Sequence, residues 1–82
     1  MADLDEYAKY YQLLGRNLAY FRKKRRLTQE GLALKANVSR AYISHIEAKN
    51  VEAEPSLHVL FHICSILRIE PYQLFLERED TK

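Results

Sequence analysis

With 82 residues, 48% of them hydrophobic and 29% charged, the chain reads as one folded domain near the lower size limit for burying its own core, not as a disordered segment. A single cysteine, Cys64, excludes an internal disulfide framework and fits a reducing compartment, and no apolar run approaches the roughly 20 residues that span a bilayer. The net charge is only +2, and the acidic start "MADLDEY" lacks the basic and apolar regions of a signal peptide, so the expected location is cytoplasmic.

The first third predicts one long helix. Leu4, Tyr7, Tyr11, Leu14, Leu18 and Phe21 recur at alternating spacings of three and four, which lays them along one stripe. Asp3 or Asp5 is suited to cap its start, and Gly15 is a weak point where the helix is expected to bend or break. Thr28 is the next N-cap, opening a second helix over "QEGLALKA" with Leu32, Ala33 and Ala36 on its apolar side. Gly31 weakens that helix with no local reason in the sequence. Asn37 tolerates a left-handed backbone and so predicts a sharp turn at Asn37–Val38. Ser39 caps a third helix, "RAYISHIEA", whose Ile43 and Ile46 point to one side.

The polar "KNVEAEPS" is the clearest loop, closed by Pro55, and Ser56 caps a fourth helix. Leu57, Leu60, Phe61, Ile63, Cys64 and Leu67 give that helix a broad apolar face. Glu70-Pro71 opens a last short helix carrying Tyr72, Leu74, Phe75 and Leu76, with proline where its missing N–H is harmless. The tail "EREDTK" is expected to fray. No strand alternation, internal repeat or low-complexity segment appears, so the fold class is all-α with about five helices.

Charge is distributed unevenly. Residues 1–15 carry −2, residues 16–49 carry +7 and residues 50–82 carry −3. A basic middle between acidic ends is an oriented face that suits a polyanion. The plainer alternative is that "RKKRR", residues 22–26, is a solvated helix end, where cations are favourable anyway by roughly 0.3–1 kcal/mol each.

Two helices joined by a tight turn each bury one stripe. With Ile43 and Ile46 inward, Arg40, Ala41, Tyr42, Ser44, His45 and Lys49 face partly or wholly outward. Arginine offers a rigid donor fork matched to guanine O6/N7 or to phosphate, and small and hydroxyl residues permit close approach. A helix fits the major groove by its width, and residues near its N-terminus meet base edges.

From Leu14 to Phe75 the sequence resembles the lambda-repressor-like helix-turn-helix family, also called the XRE or Cro/CI type. The matching motifs, in order, are "LGRNLAYFRKKRRLTQ", "LALKANVSRAYISHIE" and "PSLHVLFHICSILRIEPYQLF". The resemblance implies a compact five-helix, lambda-repressor-like DNA-binding domain over residues 13–76. Residues 1–12 would be an N-terminal extension of the first helix and residues 77–82 a frayed tail. It implies that Thr28, Gln29 and Ser39 hold the phosphate backbone, with Lys49 a further candidate from the loop. Gln29 would also brace a base-reading side chain. Arg40, Ala41 and His45 fall where family members meet bases, with Tyr42 and Ser44 beside them; Tyr42 suits a thymine methyl or the sugar–phosphate wall. Arg22 and Glu47 fall where many members place an ion pair tying the first helix to the third.

The departures are specific. Asn37 stands for the usual turn glycine, Arg26 for another common glycine, and Gly31 for a helix former. The loop after the third helix is about two residues longer than the common form, and its "VEAE" makes a poor phosphate clamp.

The implied function is sequence-specific binding of double-stranded DNA by a transcriptional regulator, a repressor acting as a homodimer on a palindromic operator. No cofactor, membrane or small-molecule substrate enters this reading. An antitoxin or a restriction–modification controller would use the same fold. The rival from another class is a protein-interaction module that kept the fold and lost DNA. The residues offer no phosphate-binding glycine loop, no nucleophilic triad and no paired carboxylates, so the expectation is not an enzyme. His58 and His62 lie one turn apart, but Cys64 is about 200° around the helix from His62, so no metal site is expected and Cys64 reads as core filling. Tyr7, Tyr10 and Tyr11 have two readings. They pack over the C-terminal helix of their own chain, or dock with Tyr72, Phe75 and Leu76 of a second copy.

Overall fold

A computed structural model describes residues 4–48 and 54–78. Each α-helix after the first begins at a hydroxyl residue in extended backbone, because a side-chain oxygen there satisfies an amide that the helix itself leaves unpaired. Thr28 Oγ1 accepts the Gly31 N–H at 2.9 Å and opens α2 (Gln29–Ala36). Ser39 Oγ accepts the Tyr42 N–H at 3.0 Å and opens α3 (Arg40–Glu47). Ser56 Oγ accepts the Val59 N–H at 3.2 Å and opens α4 (Leu57–Leu67). The first of these bonds also supplies a reason for Gly31: a Cβ there would meet Thr28 Oγ1 at 3.2 Å, tight against the capping hydroxyl.

Helix α1 (Leu4–Lys24) runs unbroken through the buried Gly15, where a bend or break is expected from sequence. The roughly 1 kcal/mol that a mid-helix glycine costs is small beside burial of Leu14, Leu18 and Phe21 on either side of it, each side chain contributing about 1.5–3 kcal/mol. The capping role expected of Asp3 or Asp5 falls on side chains outside the described residues, as does the side chain of Leu4.

The core joins those three residues of α1 to Leu32, Ala33 and Ala36 of α2, Ile43 and Ile46 of α3, and Leu60, Ile63, Cys64 and Leu67 of α4. α1 packs against α3, while α2 packs against both α3 and α4. Two residues expected on the apolar face of α4 stay out of it: Leu57 and Phe61 are 67% and 52% exposed.

Against the expected five α-helices there are four among the described residues. The fifth element, Pro71–Phe75, is a 3-10 helix, with the Gln73 N–H on the Glu70 carbonyl three residues back at 3.0 Å. The physical reason lies in α1. The buried Asn17 Nδ2 donates to the carbonyls of Leu74 and Leu76, at 2.9 and 2.8 Å. Those carbonyls are thereby committed sideways, Leu74 is buried and Leu76 is already extended, so no α-helical ladder continues. Beyond it, the guanidinium of Arg78 lies 4.1 Å from the Tyr20 ring centroid, which holds the chain to α1 as far as that residue. Residues 79–82, the rest of the expected frayed tail, are outside the description.

Candidate nucleic-acid interface

The exposed face of α3 follows from its buried one. Ile43 and Ile46, 0% and 3% exposed, are on the inner side, which leaves Arg40, Ala41 and His45 exposed and Ser44 half-buried. Arg40 and Ala41 occupy the first turn, where side chains project beyond the helix end. Thr28 and Ser39 are exposed as well. Their capping bonds use each oxygen as an acceptor, so the hydroxyl protons remain for an outside acceptor such as phosphate. Asn37, between the two helices, has φ 59° and ψ 43°, the left-handed turn that its residue type predicts.

A buried polar network fixes how α2 and α3 sit on α1. Arg22 Nε donates to Glu47 Oε2 at 2.6 Å and an Arg22 terminal nitrogen donates to Glu47 Oε1 at 2.9 Å, a two-point carboxylate–guanidinium pair. The other terminal nitrogen of Arg22 donates to the Leu27 carbonyl at 2.8 Å. Gln29 Nε2 adds a third donor on Glu47 Oε1 at 3.0 Å. One carboxylate thus gathers the end of α1, the start of α2 and the end of α3. The two charged side chains are 10% and 7% exposed, so water does little to weaken the pairing. Gln29, expected on the phosphate backbone and as a brace for a base-reading side chain, braces Glu47 through its Nε2.

Tyr42, expected partly outward beside the reading residues, has a structural bond as well. It is half-buried and packed against the core, and its hydroxyl accepts the Ser56 N–H at 3.2 Å, which links α3 to the residue that caps α4. Lys49, the candidate phosphate contact from the loop, lies outside the described residues.

The "RKKRR" run is not one solvated end. Arg22 is buried in the network, and Arg25 Nε donates to the Leu67 carbonyl at the end of α4, at 2.7 Å. Lys24 Nζ stands 5.7 Å from the Tyr20 ring centroid. Nothing in the residue pattern signalled the Arg25, Gln29 or Tyr42 bonds, because each joins segments that only the tertiary fold brings together. Cys64 is buried, and burial, with a smaller contribution from the Glu70 carboxylate, pushes its thiol pKa up. Among the described residues no three His, Cys, Asp or Glu side chains gather as metal ligands, and no helix is long and apolar enough to cross a membrane.

Comparison with known proteins places this geometry in a known class. A family model described as helix-turn-helix matches residues 18–74. The chain is 29% identical over 70 residues to the HTH-type transcriptional regulator SinR of Bacillus licheniformis, and equally to that of Bacillus subtilis. In each case the match covers 85% of this chain and 62% of the relative, so the chain spans less than two thirds of those proteins. Among solved structures it is similar to a hypothetical transcription factor, NHTF, from Neisseria, with a TM-score of 0.77 and 25% identity over 98% of this chain and 86% of that one. It is also similar to the restriction-modification controller protein C.AhdI from Aeromonas hydrophila, with a TM-score of 0.71 and 29% identity over 79% and 96%.

Proposed function

The chain belongs to the XRE, or Cro/CI-type, helix-turn-helix family of transcriptional regulators, and from that premise we propose that it binds double-stranded DNA in a sequence-specific way through the exposed face of α3. The observation that carries the proposal is the orientation of that helix: two buried isoleucines on one side, and Arg40, Ala41 and His45 free on the other. Arg40 reads a base edge through its two-pronged donor group, with Ala41, Ser44 and His45 beside it. Thr28, Ser39 and the first-turn amides of α2 and α3 hold phosphates, which sets register without reading sequence. The Arg22–Glu47–Gln29 network holds the reading helix at a fixed angle to the helix that grips the backbone.

The domain is assigned to residues 13–76, and it acts in the cytoplasm as a repressor, without a cofactor, by occupying an operator. Two copies bind a palindrome, with half-sites about one helical turn apart. Leu57 and Phe61, one turn apart on α4, and Tyr72 and Leu76 after it, are apolar side chains left exposed, and they supply the surface for self-association.

Salt tests the proposal against a protein-docking role for the same fold. A groove reader that neutralises about six phosphates loses affinity by about 10³ or more between 50 and 200 mM salt. Affinity for a selected duplex that barely changes over that range would contradict it.

A further inference from the structure

A groove of about 390 Å³ opens between α1, the segment before α4 and the 3-10 helix. Among the described residues none of its lining comes from α2 or α3, which sets it apart from the exposed face of α3. Its volume lies within the range of small-molecule pockets, about 300–1,000 Å³. Tyr7, Tyr10 and Tyr11 of α1 and Phe75 of the 3-10 helix give it four aromatic rings, over an apolar floor that includes Leu14 and Leu60. Among the described residues its one charged lining residue is Glu54, a carboxylate. Aromatic faces carry partial negative charge and attract cations, and a carboxylate adds to that preference. One of these rings already holds an ammonium, since Lys9 Nζ stands 5.1 Å from the Tyr10 centroid. Among the described residues no basic side chain belongs to the lining, which disfavours an anion there.

A second copy of the chain is a poorer occupant. Tyr7, Tyr10 and Phe75 are exposed within the groove, but the more exposed Leu57, Phe61 and Tyr72 lie outside the lining and offer self-association a surface of its own. The groove also has a direct connection to α3. Glu54 and Pro55 form part of its wall, and the next residue, Ser56, donates its N–H to the Tyr42 hydroxyl at 3.2 Å.

We propose that this groove binds a small organic cation with an apolar body, and that its occupancy is transmitted to α3 through the Ser56–Tyr42 hydrogen bond. The first half concerns the free protein; the second rests on the DNA-reading role proposed above.

The test is a nuclear magnetic resonance titration of the full chain with benzyltrimethylammonium, run beside benzenesulfonate, which has the same ring and the opposite charge. The cation is expected to give saturable shifts at Tyr7, Tyr11 and Phe75, and the anion none. Glu54→Gln and Tyr7→Leu are each expected to weaken the cation by about fivefold. Both residues are exposed, so neither substitution threatens folding. No saturable shift, equal response to the anion, or indifference to Glu54→Gln would overturn the site. So would shifts at the same residues on raising protein concentration without ligand, since those would assign the groove to a second copy.

Transmission is read on a selected duplex. Saturating cation is expected to change its Kd about threefold or more in the parent and not in Tyr42→Phe. An unchanged Kd in the parent overturns the transmission alone, and a protein that binds no duplex overturns the DNA reading while the cation titration still judges the groove.

Discussion

Arg26, Asn37 and Arg68 hold φ values of 58°, 59° and 59°, and each ends a helix. At each, the next residue's N–H reaches the carbonyl five positions back, Leu27 to Arg22, Val38 to Ala33 and Ile69 to Cys64. Leu27, Val38 and Ile69 then pack against the core, which completes the same helix-ending motif three times. Left-handed backbone costs a residue with a Cβ about 1–2 kcal/mol, so Arg68→Gly is expected to stabilise the protein by about 1 kcal/mol, read as a higher urea midpoint with an unchanged slope. Only the Asn37 turn was legible in the sequence. Arginine carries no left-handed preference, and the signal available was the pairing of a polar residue with an apolar one that anchors the stop. Glu47 carries the opposite prediction. Glu47→Ala strands a buried guanidinium, and thermal or urea unfolding is expected to show a loss of about 3–5 kcal/mol. Cys64 predicts a pH dependence. Because folding raises its pKa, the thiolate forms more readily in the unfolded chain. Its contribution is therefore full below the unfolded thiol value of about 8.5 and is lost as pH rises from there toward the folded value. Cys64→Ala, compared with the parent by urea melts above and below that value, is expected to flatten this alkaline decline.

At the scale of elements, local rules and tertiary demands diverge in three places. The caps at Thr28, Ser39 and Ser56 follow from residue type because an N-cap is a contact within one turn, and all three helix starts were legible. Gly15 misled for the converse reason: its cost is local, and the packing of α1 on both sides outweighs it. The place of the last helix is legible but its 3-10 geometry is not, since nothing within "PYQLF" records that Asn17, 57 residues away from Leu74, claims its carbonyl. The same limit applies to the proposed reading surface. That Ile43 and Ile46 face inward was legible from spacing, whereas the diversion of Tyr42 toward Ser56 was not. The Arg22–Glu47 pair entered from family resemblance, and no periodicity in the chain points to it.

In the whole molecule, a rigid three-way polar brace supports one helix whose outer face is free. The +7 carried by residues 16–49 attracts any duplex alike, so specificity is expected to come from the first turn of α3. Selection of binding sites from a random duplex library, run with the parent, Arg40→Ala and Lys24→Ala, tests this most directly. The parent is expected to select a palindrome with half-sites about one helical turn apart. Arg40→Ala is expected to lose preference at one position per half-site, at a cost of about 1–3 kcal/mol, while Lys24→Ala keeps the same sequence and weakens all duplexes alike. If Arg40→Ala selects the parent's sequence undiminished, or the parent selects none, α3 does not read DNA and the account fails.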